Sequence, residues 1–488
     1  MADVTHAQDP YSAYLQKKKE KIRSFYDREA RLYPTKWIKR NSYYYEQIKR
    51  LLSQIIPPGK TVLDVGCGFG HILEHLKPSY GVGVDFSKSM IEEAQKRYPH
   101  LTFYHMDIED VATLNETFDF VVSVNSITEM TDVRRCLKSM YRVMSPETRL
   151  VIIAYNYLWE PIIELGALWG MRPKSPAQNW FSPQDFQNLL KSADFEVVRE
   201  GYRIVLPKYL PLVAELLNNF LVRMPLFRRL GFTHYIIARP LIPFKNPGKM
   251  TVSVVIPCKN EEGNIEDIVK RVPEIGGGTE IIFVDDQSTD ATAHKIETQI
   301  KSHPGKRIKL VKGPGVGKGA ACRAGFAEAK NDIFMILDAD MTVMPEVLSE
   351  FFELISQGKG EFINGSRLLY PMEEQAMKIA NVFGNKMFAM LFTFLLEQPI
   401  KDTLCGTKVM LKRDYPKLLE ARAYFNTIDR WGDYDWIFGA ARHNLKIVEL
   451  PVHYVCRTTG QTKMTGRLKN AWVMFKMCWV VFLKLKLN

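Results

Sequence analysis

The sequence has few of the features that mark secreted or disulfide-bonded proteins. Its 488 residues contain only seven cysteines, scattered singly along the chain. An odd, unclustered set argues against a disulfide framework and against a zinc site, and it favours reduced thiols in a cytoplasm. These cysteines are Cys67, Cys136, Cys258, Cys322, Cys405, Cys456 and Cys478.

Long apolar runs are also missing. The segment Met1–Lys19 is polar and has no apolar signal core. No stretch reaches the ~18 apolar residues of a transmembrane helix. Two shorter stretches, Phe388–Leu396 and Ala471–Leu483, suit a buried helix or one that lies in a membrane interface. We therefore expect a cytoplasmic protein that can make peripheral contact with the inner face of the cytoplasmic membrane.

Acidic residues are outnumbered by basic ones, 54 to 66, which gives a net charge of +12. Such a charge suits nucleic acids, anionic membranes or phosphorylated substrates. No helix-turn-helix, zinc module or aromatic RNA-binding signature accompanies it, so we expect no nucleic-acid partner. From Gln461 onward there are six basic residues, no acid and four interleaved aromatics. This pattern predicts either a surface-lying amphipathic segment or an ordinary C-terminal helix packed on its own domain.

The length of the chain exceeds that of one ordinary core, so two domains are expected. Three prolines and a glycine fall between Arg239 and Met250, where they break both helix and strand. The pattern of a parallel α/β domain begins afresh on either side. We predict an α/β chain with domains at residues 1–240 and 251–465, a linker at 241–250, and a basic amphipathic segment at 466–488.

The first domain opens with a strand, a glycine-rich turn and the start of a helix. Thr61–Val65 is followed by Gly66, Gly68 and Gly70, and a second strand ends at Asp85. Glycine lets a ligand approach the backbone, and a carboxylate at the end of the second strand can hold two ribose hydroxyls. A glycine cluster of this kind is also used by nicotinamide enzymes.

The spacing Gly-x-Gly-x-Gly, preceded by Asp64, resembles that of class I S-adenosylmethionine-dependent methyltransferases. The resemblance continues through residues 105–109, 118–125 and 150–154. It implies a Rossmann-like fold that binds S-adenosylmethionine. The implied cofactor-binding residues are Asp64, Gly66, Gly68, Gly70, Asp85, Asp107, Ile108 and Asn125.

No motif in this domain identifies a general base for methyl transfer. His71, His105, Glu129 and Tyr155 are alternatives, and each also suits a pocket wall or a structural role. Residues 156–238 are predicted to form a lid and the late strands over the acceptor. The identity of the methyl acceptor does not follow from these residues.

The second domain has carboxylates at the ends of two apolar runs. Asp285 and Asp286 end one run, and Asp338 and Asp340 end another. The carboxyl ends of parallel strands face the crevice in which open α/β sheets bind ligands. Two aspartates separated by one small residue can reach a single divalent cation, which neutralises a diphosphate. The pattern predicts a divalent-cation site at Asp338 and Asp340, with capping of the next helix as the alternative.

A glycine-rich loop between these strand ends carries Lys318 into a helix. Such a loop is typical of a phosphate cradle, so we expect Lys318 to contact the nucleotide-sugar. A nucleoside triphosphatase needs Ser or Thr after that lysine for its magnesium, and Gly319 stands there instead.

Residues 251–465 resemble the family 2 glycosyltransferases of the GT-A fold, and more narrowly the dolichol- or polyprenyl-phosphate mannosyl- and glucosyltransferases. The resemblance implies a GDP- or UDP-linked sugar donor, with Asp402 and Gly406 in the acceptor motif. It implies that the cation held by Asp338 and Asp340 is Mg²⁺ or Mn²⁺. It also implies that Arg457 and Lys463 belong to a basic loop that closes over the diphosphate. The implied donor-binding residues are Pro257, Glu261, Asp285, Asp286, Lys318, Asp338 and Arg367.

The acceptor decides whether a base is needed. A polyprenyl phosphate is already anionic, whereas a hydroxyl must lose its proton to a carboxylate. Asp433 and Asp435 are the candidates for that base, with ordering of the acceptor loop or capping of a helix as the alternative. Three departures weaken the lipid-phosphate acceptor. Thr342, a poorer ligand for a cation, stands at the usual third metal contact, and Lys378 or Met377 replaces an arginine expected ahead of the acceptor helix. The C-terminal membrane-spanning helices of many relatives are also missing.

Together the two halves predict a bifunctional enzyme of glycan or cell-envelope biosynthesis. It would combine inverting, metal-dependent sugar transfer with S-adenosylmethionine-dependent methyl transfer. Two alternatives remain open: one half is a binding or scaffolding module, or the glycosyltransferase is soluble and uses a hydroxyl acceptor.

Overall fold

The computed structural model describes residues 10–32, 36–169, 178–219, 221–224, 227–370, 379–426, 431–457 and 467–487. The chain divides into two compact units, residues 1–242 and 243–488. The division falls inside the proline-rich segment, and the precise bounds of the two domains stay predictions.

The N-terminal unit contains a seven-stranded sheet in the order β3-β2-β1-β4-β5-β7-β6. Its neighbours are parallel except at β7, which runs antiparallel to β5 and β6. The order reverses between β1 and β4, which places a ligand crevice at their carboxyl ends. The strands are β1 (Thr61–Val65), β2 (Tyr80–Asp85), β3 (Thr102–His105), β4 (Phe118–Val124), β5 (Met144–Tyr155), β6 (Phe195–Arg203) and β7 (Thr233–Pro240).

Helices flank this sheet, and several begin at a side chain that accepts a backbone N–H. Ser87 caps α5 and Asp132 caps α6, while Ser182 and Asp185 form a reciprocal capping box on α8. The helices are α1 (Pro10–Leu32), α2 (Lys36–Arg40), α3 (Ser42–Ile55), α4 (His71–His75), α5 (Lys88–Arg97), α6 (Val133–Arg142), α7 (Glu160–Leu168), α8 (Pro183–Ser192) and α9 (Val213–Asn219).

The C-terminal unit contains a second seven-stranded sheet, ordered β10-β9-β8-β11-β13-β12-β14. Here β13 is the antiparallel strand, between β11 and β12. The parallel strands β8, β9 and β11 end at one edge of the sheet. The strands are β8 (Val252–Cys258), β9 (Thr279–Asp285), β10 (Arg307–Lys312), β11 (Ile333–Ile336), β12 (Phe362–Ser366), β13 (Lys408–Leu411) and β14 (Ile447–Pro451).

This sheet is buried on both faces, as a sheet covered by helices must be. Val255 and Val284 pack into one apolar layer, whereas Val254 and Phe283 pack into the other. The flanking helices are α10 (Ile265–Arg271), α11 (Thr292–Ser302), α12 (Lys318–Glu328), α13 (Leu348–Ser356), α14 (Ile379–Leu396), α15 (Tyr415–Phe425), α16 (Asp433–Arg442) and α17 (Arg467–Phe482). The two α/β units confirm the predicted fold class.

Both apolar stretches of the C-terminal unit lie in helices that share one core. Phe388 and Phe392 of α14 are buried with Met474 and Cys478 of α17. The opposite side of α17 exposes Trp472 and other aromatic side chains. The C-terminal segment therefore packs on its own unit and also presents an amphipathic surface. Among the described helices, none is long and apolar enough to cross a membrane.

Candidate functional sites

The first site is the glycine turn that follows β1. Gly66, Gly68 and Gly70 have φ values of 77°, 52° and 75°, in the left-handed region that favours glycine. A Cβ atom on Gly66 would lie 2.4 Å from the Cβ of Ser126, which follows β4. The turn thus requires glycine both for its backbone conformation and for the close approach of the β4 end.

Asp85, at the end of β2, is fixed against this turn. One carboxylate oxygen accepts the N–H of Gly68 at 2.9 Å, and the other accepts the N–H of Ser87 at 2.9 Å. Burial raises the pKa of Asp85 to about 6. Burial, with the charge of Asp85 added, raises the pKa of Asp64 to about 7. Each oxygen of Asp85 keeps a second lone pair with which it can accept a ribose hydroxyl.

A cavity of about 520 Å³ opens beside this turn. Gly70 is not among its lining residues. A Cβ atom there would lie 2.7 Å from the ring of Phe103, so this glycine allows the turn to pack closely against β3. The predicted cofactor residues that line it are Asp64, Gly66, Gly68, Asp85, Asp107, Ile108 and Asn125.

The N-terminal helices also form a wall of this cavity. Lys19 of α1 pairs with Asp107 at 2.9 Å and with Glu109 at 2.6 Å. The Tyr44 hydroxyl on α3 accepts the side-chain amide of Asn125 at 3.0 Å. The sequence predicted helices here but no site residues, because Lys19 and Tyr44 belong to no motif. Their only signal was the richness of the segment in Lys, Arg and Tyr.

Three of the four alternative bases lie at this cavity. His71, Glu129 and Tyr155 line it, whereas the ring of His105 is not part of the lining and bonds the Phe86 carbonyl at 3.1 Å. Burial lowers the pKa of His71 to about 4, so its ring is neutral at neutral pH.

The second site lies at the carboxyl ends of β8, β9 and β11. The Lys318 ammonium is 2.6 Å from Asp338, and Arg457 pairs with Asp340. Asp340 also accepts the hydroxyl of Thr342 at 2.7 Å. Met341 between them has a φ of 58°, which turns the chain sharply after the aspartate pair. Both acids thus face a cation from another segment of the chain.

The donor set of this site suits a divalent cation bound together with a substrate. Within the described ranges, no three His, Cys, Asp or Glu side chains come together as a metal cluster. Mg²⁺ is commonly held by one or two carboxylates plus substrate phosphates rather than by an all-protein cage. Asp338 and Asp340 supply that carboxylate pair, so the residues present fit such an ion.

Asp433 lies beside this pair, in the first turn of α16. It accepts a hydrogen bond from Lys408 at 2.8 Å and lies 3.8 Å from the ammonium of Lys318. Lys408 is 0% exposed. Asp435 turns toward a different partner, Arg422, at 3.1 Å. Of the two candidate bases, Asp433 is therefore the one linked to Asp338, through the shared ammonium of Lys318. We call Asp338, Lys318, Asp433 and Lys408 the Asp338 cluster.

The acceptor motif contributes a buried ion pair and a glycine contact. The Arg367 guanidinium donates two hydrogen bonds to Asp402, at 2.7 and 2.9 Å, and its backbone N–H donates a third at 3.0 Å. Burial raises the pKa of Asp402, but Arg367 more than reverses this and holds it well below its usual range. Asp402 has no exposed surface, so its contact with an acceptor stays a prediction. A Cβ on Gly406 would lie 1.9 Å from Asp338, so this glycine makes room for the acid.

The remaining donor-side residues organise the glycine-rich loop and its surroundings. Asp286 is buried and accepts the N–H groups of Gly315 at 2.6 Å and Gly317 at 3.2 Å. This anchors the loop that carries Lys318. Asp285 accepts the N–H of Ser288 at 3.1 Å. Lys463 lies outside the described residues.

Glu261 and Pro257 lie near the end of β8. The Glu261 side chain is buried and accepts the amide of Asn264 at 3.1 Å. Pro257 lies within β8 itself, next to its last residue. Their contact with a nucleotide base or ribose stays a prediction.

Comparison with known proteins assigns a family to part of each unit. The family described as glycosyl transferase family 2 matches residues 253–419, and one described as methyltransferase domain matches residues 37–200. The C-terminal unit is similar to a dolichol-phosphate mannosyltransferase of Pyrococcus furiosus, with 38% identity over 45% of this chain and 60% of that protein. It is also similar to a dolichyl-phosphate beta-glucosyltransferase of Trichomonas vaginalis, with 27% identity over 47% of this chain and 74% of that protein.

The chain thus spans less than two thirds of the Pyrococcus relative. Among solved structures, a SAM-dependent methyltransferase of Thermotoga maritima is 19% identical, with a TM-score of 0.37, and the match covers 45% of this chain and 99% of that one. Similarity at this level says nothing about the substrate.

Proposed function

Because the chain carries a methyltransferase domain in its N-terminal half and a family 2 glycosyltransferase domain in its C-terminal half, we propose that it is a bifunctional transferase. The C-terminal unit transfers a sugar from a GDP- or UDP-linked donor, with inversion at the sugar carbon. The N-terminal unit transfers a methyl group from S-adenosylmethionine. Both reactions serve glycan or cell-envelope biosynthesis.

The observation that carries the glycosyl-transfer proposal is the pairing of Asp338 with Lys318 and of Asp340 with Arg457. A departing nucleoside diphosphate gains negative charge as the bond to the sugar breaks. Cations placed beforehand stabilise that charge without having to reorganise. Lys318 and Arg457 fill this role, and Lys463 of the same basic segment is proposed to join them.

Asp338 and Asp340 would hold Mg²⁺ or Mn²⁺, which supplies Lewis-acid stabilisation of the diphosphate. Gly406 keeps the space that Asp338 occupies. Asp286 keeps the glycine-rich loop, and with it Lys318, beside the same strand end. Pro257, Glu261 and Asp285 are proposed to line the nucleotide side, and Arg367 to support the site through Asp402.

We propose a polyprenyl phosphate as the sugar acceptor. The Pyrococcus relative is named for dolichol phosphate, and a Pseudomonas aeruginosa relative, 32% identical over 22% of this chain, is named for undecaprenyl phosphate. The phosphate oxygen of such an acceptor is already anionic, so it needs no general base. Asp433 then orients the cluster through Lys318 and Lys408, and with a hydroxyl acceptor it would be the base instead.

A lipid acceptor requires the C-terminal unit to reach a bilayer, and α14 and α17 offer a surface for it. Phe383 and Met390 of α14 and Trp472 and Trp479 of α17 are exposed. Lys476 lies over the ring of Trp472, 5.4 Å from its centre. Exposed aromatics with lysines are typical of helices that lie in a membrane interface.

For methyl transfer, S-adenosylmethionine would be held by the turn at Gly66 and Gly68 and by Asp85. The sulfonium is reactive on its own, so the protein chiefly aligns the nucleophile. Of the four alternative bases, His71, Glu129 and Tyr155 line the cavity, and they are proposed to orient or deprotonate that nucleophile.

One screen and one titration test these proposals separately. The full chain is incubated with GDP- and UDP-sugars, Mn²⁺ and a short-chain polyprenyl phosphate, and nucleoside diphosphate release is measured. Release that needs both Mn²⁺ and the lipid phosphate supports the glycosyl-transfer proposal, and release with neither sugar class contradicts it. Calorimetry with S-adenosylmethionine tests the other half, where binding that is lost in Asp85→Ala is expected.

A further inference from the structure

Exposed apolar side chains lie on two segments that border the methyl-transfer cavity. Ile162, Leu165 and Trp169 form one stripe along α7 and the residue after it, at helical spacing i, i+3, i+7. Leu212 and Leu216, at the start of α9, are exposed as well. We call these five side chains the rim. Trp169 is 70% exposed and Leu212 is 80% exposed, so the rim is not an edge of the core.

Residues next to the rim in both segments line the cavity. Ile163 and Gly166, on the neighbouring face of α7, line the cavity, and so do Pro207 and Lys208 ahead of α9. Two hydrogen bonds fix these segments to the unit. The Trp159 ring N–H donates to the Leu230 carbonyl at 3.0 Å, and Lys208 donates to the Arg40 carbonyl at 2.7 Å. Both segments that carry the rim therefore also contribute to the cavity wall.

The surroundings of the rim are basic. Among the side chains that the structure describes in residues 38–41, 157–169 and 205–232, five are basic and three are acidic. Arg228 and Arg229 are exposed, next to Leu230, whose carbonyl accepts the Trp159 ring N–H. Large apolar side chains beside arginines complement an anionic bilayer, in which the former enter the acyl boundary and the latter meet the head groups. A small soluble acceptor would not require such a surface around its entrance.

We infer that the rim docks the methyltransferase unit on an anionic bilayer, and that the methyl acceptor is the polar head of an amphiphile held there. The inference rests on the proposed methyl transfer and deepens it by giving the class of acceptor. It is independent of the surface formed by α14 and α17, because the rim belongs wholly to the N-terminal unit.

The test is a local reporter in the full chain. An environment-sensitive dye is attached at Leu212→Cys in a Cys456→Ser background, since the other six native cysteines are buried. The matched control carries the dye at Thr113→Cys, exposed in a turn ahead of β4. We expect a blue shift at position 212, and none at 113, with vesicles of equal parts phosphatidylglycerol and phosphatidylcholine. Phosphatidylcholine vesicles alone should shift neither.

A second variant measures affinity. Leu165→Asp/Trp169→Asp should weaken binding of the position-212 reporter to anionic vesicles by ~10-fold or more, because interfacial affinity scales with buried apolar area. Its affinity for S-adenosylmethionine should be unchanged. An unshifted dye at 212 in a protein that binds S-adenosylmethionine overturns the inference, whereas absent cofactor binding contradicts the proposed methyl transfer itself. If the double variant instead turns a dimer into a monomer by light scattering without vesicles, the rim is a self-association surface and the inference fails.

Discussion

The ammonium of Lys318 lies 2.6 Å from the carboxylate of Asp338 and so joins the glycine-rich loop to the end of β11. Burial lowers the pKa of Lys318, but Asp338 and Asp433 raise it by more, so it lies above its ordinary value. The lysine therefore stays charged at all physiological pH values. Its positive charge neutralises the negative charge of Asp338 here. We expect the same ammonium to contact the diphosphate when the donor is bound.

Removal of either acid of the pair should abolish sugar transfer. Asp338→Ala and Asp340→Ala are each expected to lower Mn²⁺-dependent turnover of the nucleotide-sugar by at least ~100-fold, the usual cost of losing one preplaced electrostatic contact. The measurement is nucleoside diphosphate release at saturating donor. Asp267→Ala, an exposed acid of α10, is the matched control and should retain full activity. Unchanged turnover in either pair variant, with Mn²⁺ required, would place the metal elsewhere.

Gly406 should matter because of the space it leaves for Asp338. A Cβ atom there would lie 1.9 Å from the Asp338 carboxylate and 2.5 Å from the Lys318 ammonium. Gly406→Ala should therefore displace the acid and lower turnover by ~10-fold or more, with an unchanged far-UV spectrum. Gly384→Ala, where a Cβ meets nothing within 4 Å, is the control. Equal activity of the two variants would contradict the close approach.

Lys408 and Asp433 form a buried ion pair at 2.8 Å. Removing Lys408 therefore leaves the buried carboxylate of Asp433 without this partner. Lys408→Met should lower the free energy of unfolding by ~3–5 kcal/mol. The charge-free double variant Lys408→Met/Asp433→Leu should recover much of that loss, measured by urea denaturation. Sugar transfer should not recover with it, because Asp433 also lies 3.8 Å from Lys318. If the double variant lost as much stability as Lys408→Met alone, or more, the two charges would not interact.

Binding of S-adenosylmethionine should strengthen with pH through the titration of Asp85. Burial raises the pKa of this carboxyl to about 6, and the ionised form is the better acceptor for ribose hydroxyls. Affinity should rise by ~10-fold between pH 5 and pH 7, as the ionised fraction does. Calorimetry at both pH values tests this, with Asp85→Asn expected to bind weakly and without that pH dependence.

The stability of the N-terminal unit should fall with rising pH, whereas its affinity for S-adenosylmethionine should rise. The raised pKa values keep protons on Asp85 and Asp64 in the folded state up to about pH 6 and pH 7, whereas the unfolded chain releases them near the ordinary aspartate pKa of 3.8. The folded protein thus binds more protons in this window, and its stability falls as pH rises from about 4 to about 7. A calorimetric transition that S-adenosylmethionine shifts upward would identify the unit.

Much of the fold was predictable because local patterns carry it. Apolar runs ending in glycine or aspartate predicted β1, β2, β9 and β11, and a parallel sheet needs little more than such runs and their crossovers. The positive φ values of Gly66, Gly68 and Gly70 follow from the same turn. The antiparallel insertion of β7 and of β13 was not predicted, since strand order depends on packing between distant segments.

The order of residues along the chain is enough to predict which chemical groups are available: a glycine turn with a ribose-holding acid in one half, and a strand-terminal aspartate pair with a glycine-rich loop in the other. Which of these groups meet depends on how the chain packs. Packing joined Lys19 to Asp107, Lys408 to Asp433 and Arg367 to Asp402, and it separated Asp435 from the cluster that holds Asp433. Such pairs join residues that are far apart in the chain. A charged or polar side chain needs a partner when it is buried, but the sequence does not say which residue that partner is. The partner is fixed only when the sheets and helices pack.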